Sequence, residues 1–164
     1  MFTAAIAATF LFLLFHNSCV HGNLRWSLGE EFMLVADHSR RAVYASNLRN
    51  ISYTRLPLLD AGSPWSLDYD PVRQLLFWTY PGNPGRIQSS HLDGSDATVI
   101  VSTDIRDPLG VAVDPREARV YWSDYHATVS KIAVVNYDGS GARTLVSLPP
   151  DRHPYGVAIN PIRR

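Results

Sequence analysis

The side chains able to do acid–base, nucleophilic or metal chemistry are present in this sequence but not grouped. His38, His91, His126 and His153 are scattered, with no His-x-x-x-His pair and no paired Glu beside them. Asp93, Ser95 and Asp96 bring three oxygens close together. The EF-hand spacing and its closing Glu are missing, however, and a hairpin turn explains the segment more simply. There is no Gly-x-Ser-x-Gly elbow and no Gly-rich phosphate loop. Cys19 is the single cysteine, which excludes an intrachain disulfide framework and a Cys-rich zinc site. No catalytic residue, metal site or cofactor is therefore expected. The 15 Lys+Arg balance 15 Asp+Glu, and a net charge of zero argues against a nucleic-acid binder, whose affinity rests on a cationic surface. With 46% hydrophobic and 18% charged residues the chain is too apolar for intrinsic disorder.

What the sequence does offer is aromatic side chains and turn formers at a fixed period. Leu67-Asp68-Tyr69-Asp70-Pro71, Val111-Ala112-Val113-Asp114-Pro115 and Val157-Ala158-Ile159-Asn160-Pro161 follow one another at steps of 44 and 46 residues. An aromatic cluster comes after each of the first two prolines, Leu76-Phe77-Trp78-Thr79-Tyr80 and Val120-Tyr121-Trp122-Ser123-Asp124, again 44 apart. Asp93-Gly94-Ser95 and Asp138-Gly139-Ser140 recur 45 apart, and Phe32 to Asp37 takes the aromatic-cluster position upstream. Each period reads as four short strands. Leu109, Val111 and Val113 alternate with smaller residues, Arg119–Asp124 and Thr128–Tyr137 are rich in β-formers, and Arg143–Ser147 completes the set. Asp-Pro stops the first strand, because proline donates no N–H and the Asp side chain accepts turn N–H groups. Asp138-Gly139 makes the tight hairpin that needs positive φ. Four strands in 40–45 residues is the signature of a β-propeller blade.

Phe-Trp-Thr-Tyr at 77–80 and Tyr-Trp-Ser-Asp at 121–124 resemble the YWTD motif of low-density lipoprotein receptor class B repeats. The Asp-Pro segments (Asp70, Pro71, Asp114, Pro115), the aromatic pairs (Phe77, Trp78, Tyr121, Trp122) and the Asp-Gly-Ser hairpins fit the same family over about residues 32–164. The resemblance implies an all-β fold, a six-bladed YWTD-type β-propeller, of which this length holds only about three blades of four-stranded antiparallel sheets. The expected blade segments are 32–57, 65–102, 109–147 and 155–164, the last being the inner strand of a fourth blade. The motif Asp, here Asp37 and Asp124, is implied to tie neighbouring strands by hydrogen bonds; Tyr80 replaces it in the middle repeat. An incomplete propeller is expected to leave blade edges open to association.

Residues 1–22 read as a secretory signal peptide, with the apolar run Ala4–Phe15 too short to span a bilayer and cleavage expected after Gly22. The expected location is therefore secreted, or the outer side of the plasma membrane, with no transmembrane segment in the chain. The mature domain would then be 23–164, and Asn50-Ile51-Ser52 a glycosylation site. In a propeller, the loops between second and third strands and those leading to the next blade share one face. Here that face would carry His38, Arg40, Arg41, Tyr80 and Asn83, together with Arg86, Arg106, Tyr125 and His126. This is a composition suited to an extracellular protein ligand, and Asn50 falls on the opposite face. The resemblance implies a non-enzymatic module of a lipoprotein-receptor-related protein, acting in endocytosis or Wnt-type signalling. Two other propeller types carry similar strands: enzymes of the lactonase or strictosidine-synthase-like type, and matrix propellers of the nidogen type.

Overall fold

Twelve strands are seen in a computed structural model, which describes residues 14–16, 31–49 and 52–160. Asn50, Cys19, residues 161–164 and most of the expected signal segment lie outside the described residues. The strands are β1 (Leu14–His16), β2 (Glu31–Asp37), β3 (Ala42–Asn47), β4 (Tyr53–Arg55), β5 (Leu67–Asp70), β6 (Leu75–Tyr80), β7 (Arg86–Ser90), β8 (Thr98–Val101), β9 (Asp107–Asp114), β10 (Arg119–Tyr125), β11 (Ser130–Asn136) and β12 (Arg143–Leu148). They form three four-stranded sheets in simple meander order, β1 to β4, β5 to β8 and β9 to β12, and every pairing is antiparallel. These are three β-propeller blades.

The turn chemistry that divides the strands is visible in the hydrogen bonds. Asp70 Oδ1 accepts the N–H groups of Val72 and Arg73 at 2.7 and 3.1 Å. Asp114 Oδ1 accepts those of Arg116 and Glu117 at 2.9 and 3.3 Å. Gly94 and Gly139 take φ of 81° and 83° in the Asp-Gly-Ser hairpins, where a Cβ is disfavoured.

Alternation along each central strand sends successive side chains to opposite faces of its sheet, and the blades pack on those faces. Trp78 turns toward the first blade, into a core with Phe32, Leu34, Val43, Leu67 and Tyr69. Its neighbour Phe77 turns the other way, into a core with Val111, Val113, Val120, Trp122 and Val135 of the third blade. Phe77 and Trp78 are both wholly buried. Phe77 also meets the Tyr137 ring at 4.5 Å between centroids, so one aromatic pair joins three sheets.

Two details depart from the sequence reading. Leu14–His16, inside the segment read as a leader, pairs with β2 in the register Leu14 to Met33, Phe15 to Phe32 and His16 to Glu31. It takes the inner position of the first blade. Residues 155–160, read as part of a further inner strand, carry no strand. Their backbone instead lies along β9: a Cβ on Gly110 would stand 2.7 Å from the Tyr155 carbonyl oxygen. Tyr155 is itself exposed, and among the described residues no strand lies beyond it to pair with.

Candidate functional site

The repeat residues act at the joints between blades, each in its own way. Asp124, at the end of β10, is nearly buried and its Oδ1 accepts the backbone N–H groups of Arg106 and Asp107 at 3.1 and 2.9 Å. This pins the incoming loop of its blade. Burial pushes the Asp124 carboxyl above the usual carboxylate range, against the pull of the Arg106 N–H bond and of Lys131. Asp37 behaves differently: it accepts the backbone N–H and the guanidinium of Arg40 at 2.8 and 2.9 Å, and those bonds hold its carboxyl below the usual range. Among the described residues Asp37 thus closes a local turn instead of tying strands.

Tyr80 replaces the carboxylate tie with a stack. Its ring covers Gly62, where φ is 61° and a Cβ would run into the ring. On the ring sits the Arg86 guanidinium, 4.3 Å from the centroid, whose Nη2 donates to Asp60 Oδ2 at 2.7 Å. The loop before β5 is thereby clamped by a cation–π contact in the place where Asp124 uses amide bonds.

Thr79 and Ser123, one residue before these positions, carry a joint that the sequence reading missed. Thr79 Oγ1 accepts the Ser66 N–H at 3.0 Å and donates to the Leu109 carbonyl of the next blade at 2.9 Å. Ser123 Oγ likewise accepts the Gly110 N–H at 2.8 Å and donates to the Tyr155 carbonyl at 3.3 Å. Their recurrence 44 residues apart was a signal that could have found them. Asp68 adds a bond across the same interface, its Oδ2 accepting the Val113 N–H at 2.8 Å, and burial raises its pKa. Arg73 joins the opposite face, bridging Asp70 Oδ2 at 3.0 Å and the Pro115 carbonyl at 2.6 Å.

The predicted face residues fall into separate sets. Asn83, Arg106 and His126 line a cavity of about 450 Å³ with Asp104, Asp124 and Lys131. Tyr80 and Arg86 form the stack just described, beside that cavity through the Gly82 N–H bond to the Arg106 carbonyl at 3.3 Å. His38 lies edge-on to Trp65 at 5.3 Å, and Tyr125 edge-on to His153 at 5.0 Å. Each pair crosses from a second-strand loop to the segment leading onward. Arg40 is held on Asp37, and Arg41 is exposed in the left-handed region at φ 54°.

Within the cavity Lys131 was not foreseen. Its Nζ donates to Asp104 Oδ2 at 2.8 Å and lies 3.9 Å from Asp124 Oδ2, so this cation is matched by carboxylates. Arg106 has no carboxylate partner among the described residues; its Nη1 faces His126 Nε2 at 3.4 Å. No three His, Cys, Asp or Glu side chains gather as a metal set among the described residues. No described helix is long and apolar enough to cross a membrane.

Residues 74–115 match the model of the low-density lipoprotein receptor repeat class B. The chain is 39% identical over 100 residues to the vitellogenin receptor Yl of Drosophila melanogaster, an alignment covering 61% of this chain and 5% of that protein. A chain in the crystal structure of a nidogen/laminin complex superposes with a TM-score of 0.62 at 25% identity, covering 71% of this chain and 43% of that one. A gluconolactonase of Xanthomonas campestris superposes with a TM-score of 0.60 at 20% identity, over 79% and 49% of the two chains, which is a likeness of fold. The chain therefore spans less than half of each of these proteins, and it carries a low-density lipoprotein receptor class B repeat, residues 74–115, within a stack of β-propeller blades.

Proposed function

We propose that this chain is a non-enzymatic, extracellular protein-binding module of a lipoprotein-receptor-related protein. Its ligand docks on the face carrying Asn83, Arg86, Arg106, Tyr125 and His126. The observation that carries the reading is the joint construction. Thr79, Ser123 and Asp124 hold the loop bases rigidly with bonds between 2.8 and 3.3 Å, while the side chains above them stay open to solvent or half-buried. A rigid base under Arg, His, Tyr and Asn side chains favours recognition, since little loop order is lost on binding. Residues 1–22 direct the chain to the secretory route, and the Asn50-Ile51-Ser52 sequon carries a glycan.

The ligand class is proposed from the relatives. The vitellogenin receptor points to a yolk protein, and the nidogen/laminin complex points to a matrix protein. Purified vitellogenin and a laminin fragment are the probes for an interferometry experiment on the immobilised secreted chain. Saturable binding of at least one is expected, weakened tenfold or more by Arg106→Glu and left intact by Glu117→Arg on the far face. Failure of both probes to bind, or equal loss with the two variants, would overturn the reading. The enzymatic alternative shares the fold; lactone hydrolysis, with and without calcium, is expected at background.

A further inference from the structure

We infer that two copies of this chain join into one closed ring of blades, residues 155–160 of each supplying the inner strand of the other's first blade. This goes beyond the ligand-binding reading and rests on the proposed cleavage after Gly22, which takes β1 away from that blade. Each joint between the copies then has two parts, a strand added to the edge of β2 and a blade face buried beneath it.

Residues 155–160 have the sequence and the anchoring of an inner strand. Tyr155-Gly156-Val157-Ala158-Ile159-Asn160 repeats Leu109-Gly110-Val111-Ala112-Val113-Asp114 of β9. Ser123 Oγ donates to the Tyr155 carbonyl as Thr79 Oγ1 does to that of Leu109. Among the described residues, however, no second strand pairs with this segment. Val111 and Val113 lie opposite Trp122 and Val120 and are buried, whereas Val157 and Ile159 are half-buried and Ala158 is exposed. β2 has the opposite defect. Even with β1 in place its inner ladder reaches only from Glu31 to Met33, while β9 matches β10 from Arg119 to Tyr125. In the register of the other blades, Val157 of one copy falls opposite the partner's Val35, and Ile159 opposite the partner's Met33.

The third blade already carries the surface on which such a strand packs. On the second blade, Phe77, Ile87, Ile100 and Val101 are buried against the third. The same four positions one repeat later are Tyr121, Ile132, Leu145 and Val146. They are apolar again, yet Tyr121 and Ile132 are only half-buried, and Leu145 and Val146 are 44% and 48% exposed. Four apolar side chains in that pattern are the face of a blade joint left uncovered. A second copy supplies the blade that covers it. The chain spans 43% and 49% of two solved propeller chains it superposes on, so two copies make up about one whole ring. A two-fold axis gives both joints the same construction and leaves neither end blade uncovered. Backbone bonds along β2 hold the added strand, and Val157 and Ile159, on one of its faces, fix its register.

The secreted chain is tested by mass spectrometry, which reads its first residue, and by sedimentation velocity. A chain beginning at Asn23 is expected to sediment as a dimer at micromolar concentration. Ala158→Pro, at an exposed residue outside any strand, removes an N–H from the added strand, and Leu145→Glu puts a charge on the covered face. Each is expected to weaken dimerisation about tenfold or more, with the circular dichroism of the monomer unchanged. Val99→Glu, comparably exposed on β8 of the middle blade, should leave the dimer intact. The pairing itself is read by oxidising a mixture of Val35→Cys and Val157→Cys chains, which is expected to give a disulfide-linked pair. A cleaved chain that stays monomeric, a dimer without that cross-link, or equal effects of the three exposed substitutions would overturn the inference. A secreted chain that retains Leu14 overturns it too, because β1 then fills the edge of β2. Vitellogenin or laminin binding does not depend on these results and reports on the docking face alone.

Discussion

Three positions that look equivalent in the repeat have become three different side-chain solutions. Asp124 holds two backbone N–H groups, Asp37 caps its own turn through Arg40, and Tyr80 stacks between Gly62 and Arg86. Removing the Asp124 acceptor strands two N–H groups, so Asp124→Ala is expected to destabilise by about 2–4 kcal/mol. Asp124→Asn keeps an oxygen in place and should cost less. Burial raises the Asp124 carboxyl, and a raised acid contributes stability that is present at low pH and lost as pH rises through its folded value. Relative to Asp124→Asn, the unmodified chain should therefore gain stability as pH falls from 7 toward the ordinary carboxylate range. Urea unfolding at pH 7 and pH 4 checks both the size and the sign. At the Tyr80 position, Gly62→Ala meets a left-handed backbone and the ring together, and a loss of about 1–3 kcal/mol is expected by the same method.

Between strands, the hydroxyls of Thr79 and Ser123 carry the chain of contacts from one blade to the next. Thr79→Val keeps the shape of the side chain while leaving the Ser66 N–H and the Leu109 carbonyl of the next blade without a partner. A loss of about 1–3 kcal/mol is expected in thermal or urea unfolding. Ala36 holds the corresponding place in β2 with no hydroxyl, so Ala36→Ser tests whether the tie can be added. Much at this scale was legible in the sequence. The 44-residue step, the Asp-Pro stops at Asp70 and Asp114 and the Asp-Gly hairpins at Asp93 and Asp138 are local signals, and the strands form where those signals put them. What was not legible depends on partners distant in the chain. Lys131 is an ordinary strand residue until β9 brings Asp104 to it, and Tyr80 reads as a lost Asp until Gly62 appears beneath its ring. The pairing of Leu14–His16 with β2 was hidden for another reason: its apolar run serves equally well as a leader or as an inner strand.

At the scale of the whole molecule, the leader and the first blade compete for the same residues. Cleavage after Gly22, as proposed, would take β1 away and open the backbone edge of β2 to another strand. N-terminal sequencing of secreted protein is expected to begin at Asn23; a retained Leu14 would show that the first blade keeps its inner strand. The larger claim is that blades joined by Thr79, Ser123 and Asp124 present one face for protein recognition. Hydrogen–deuterium exchange of the secreted chain, with and without saturating vitellogenin or the laminin fragment, tests it most directly. The account predicts slowed exchange at residues 81–86, 102–107 and 125–129, with turns 71–74, 91–97 and 137–142 unchanged. Protection confined to those far-side turns, or no protection anywhere, would contradict it.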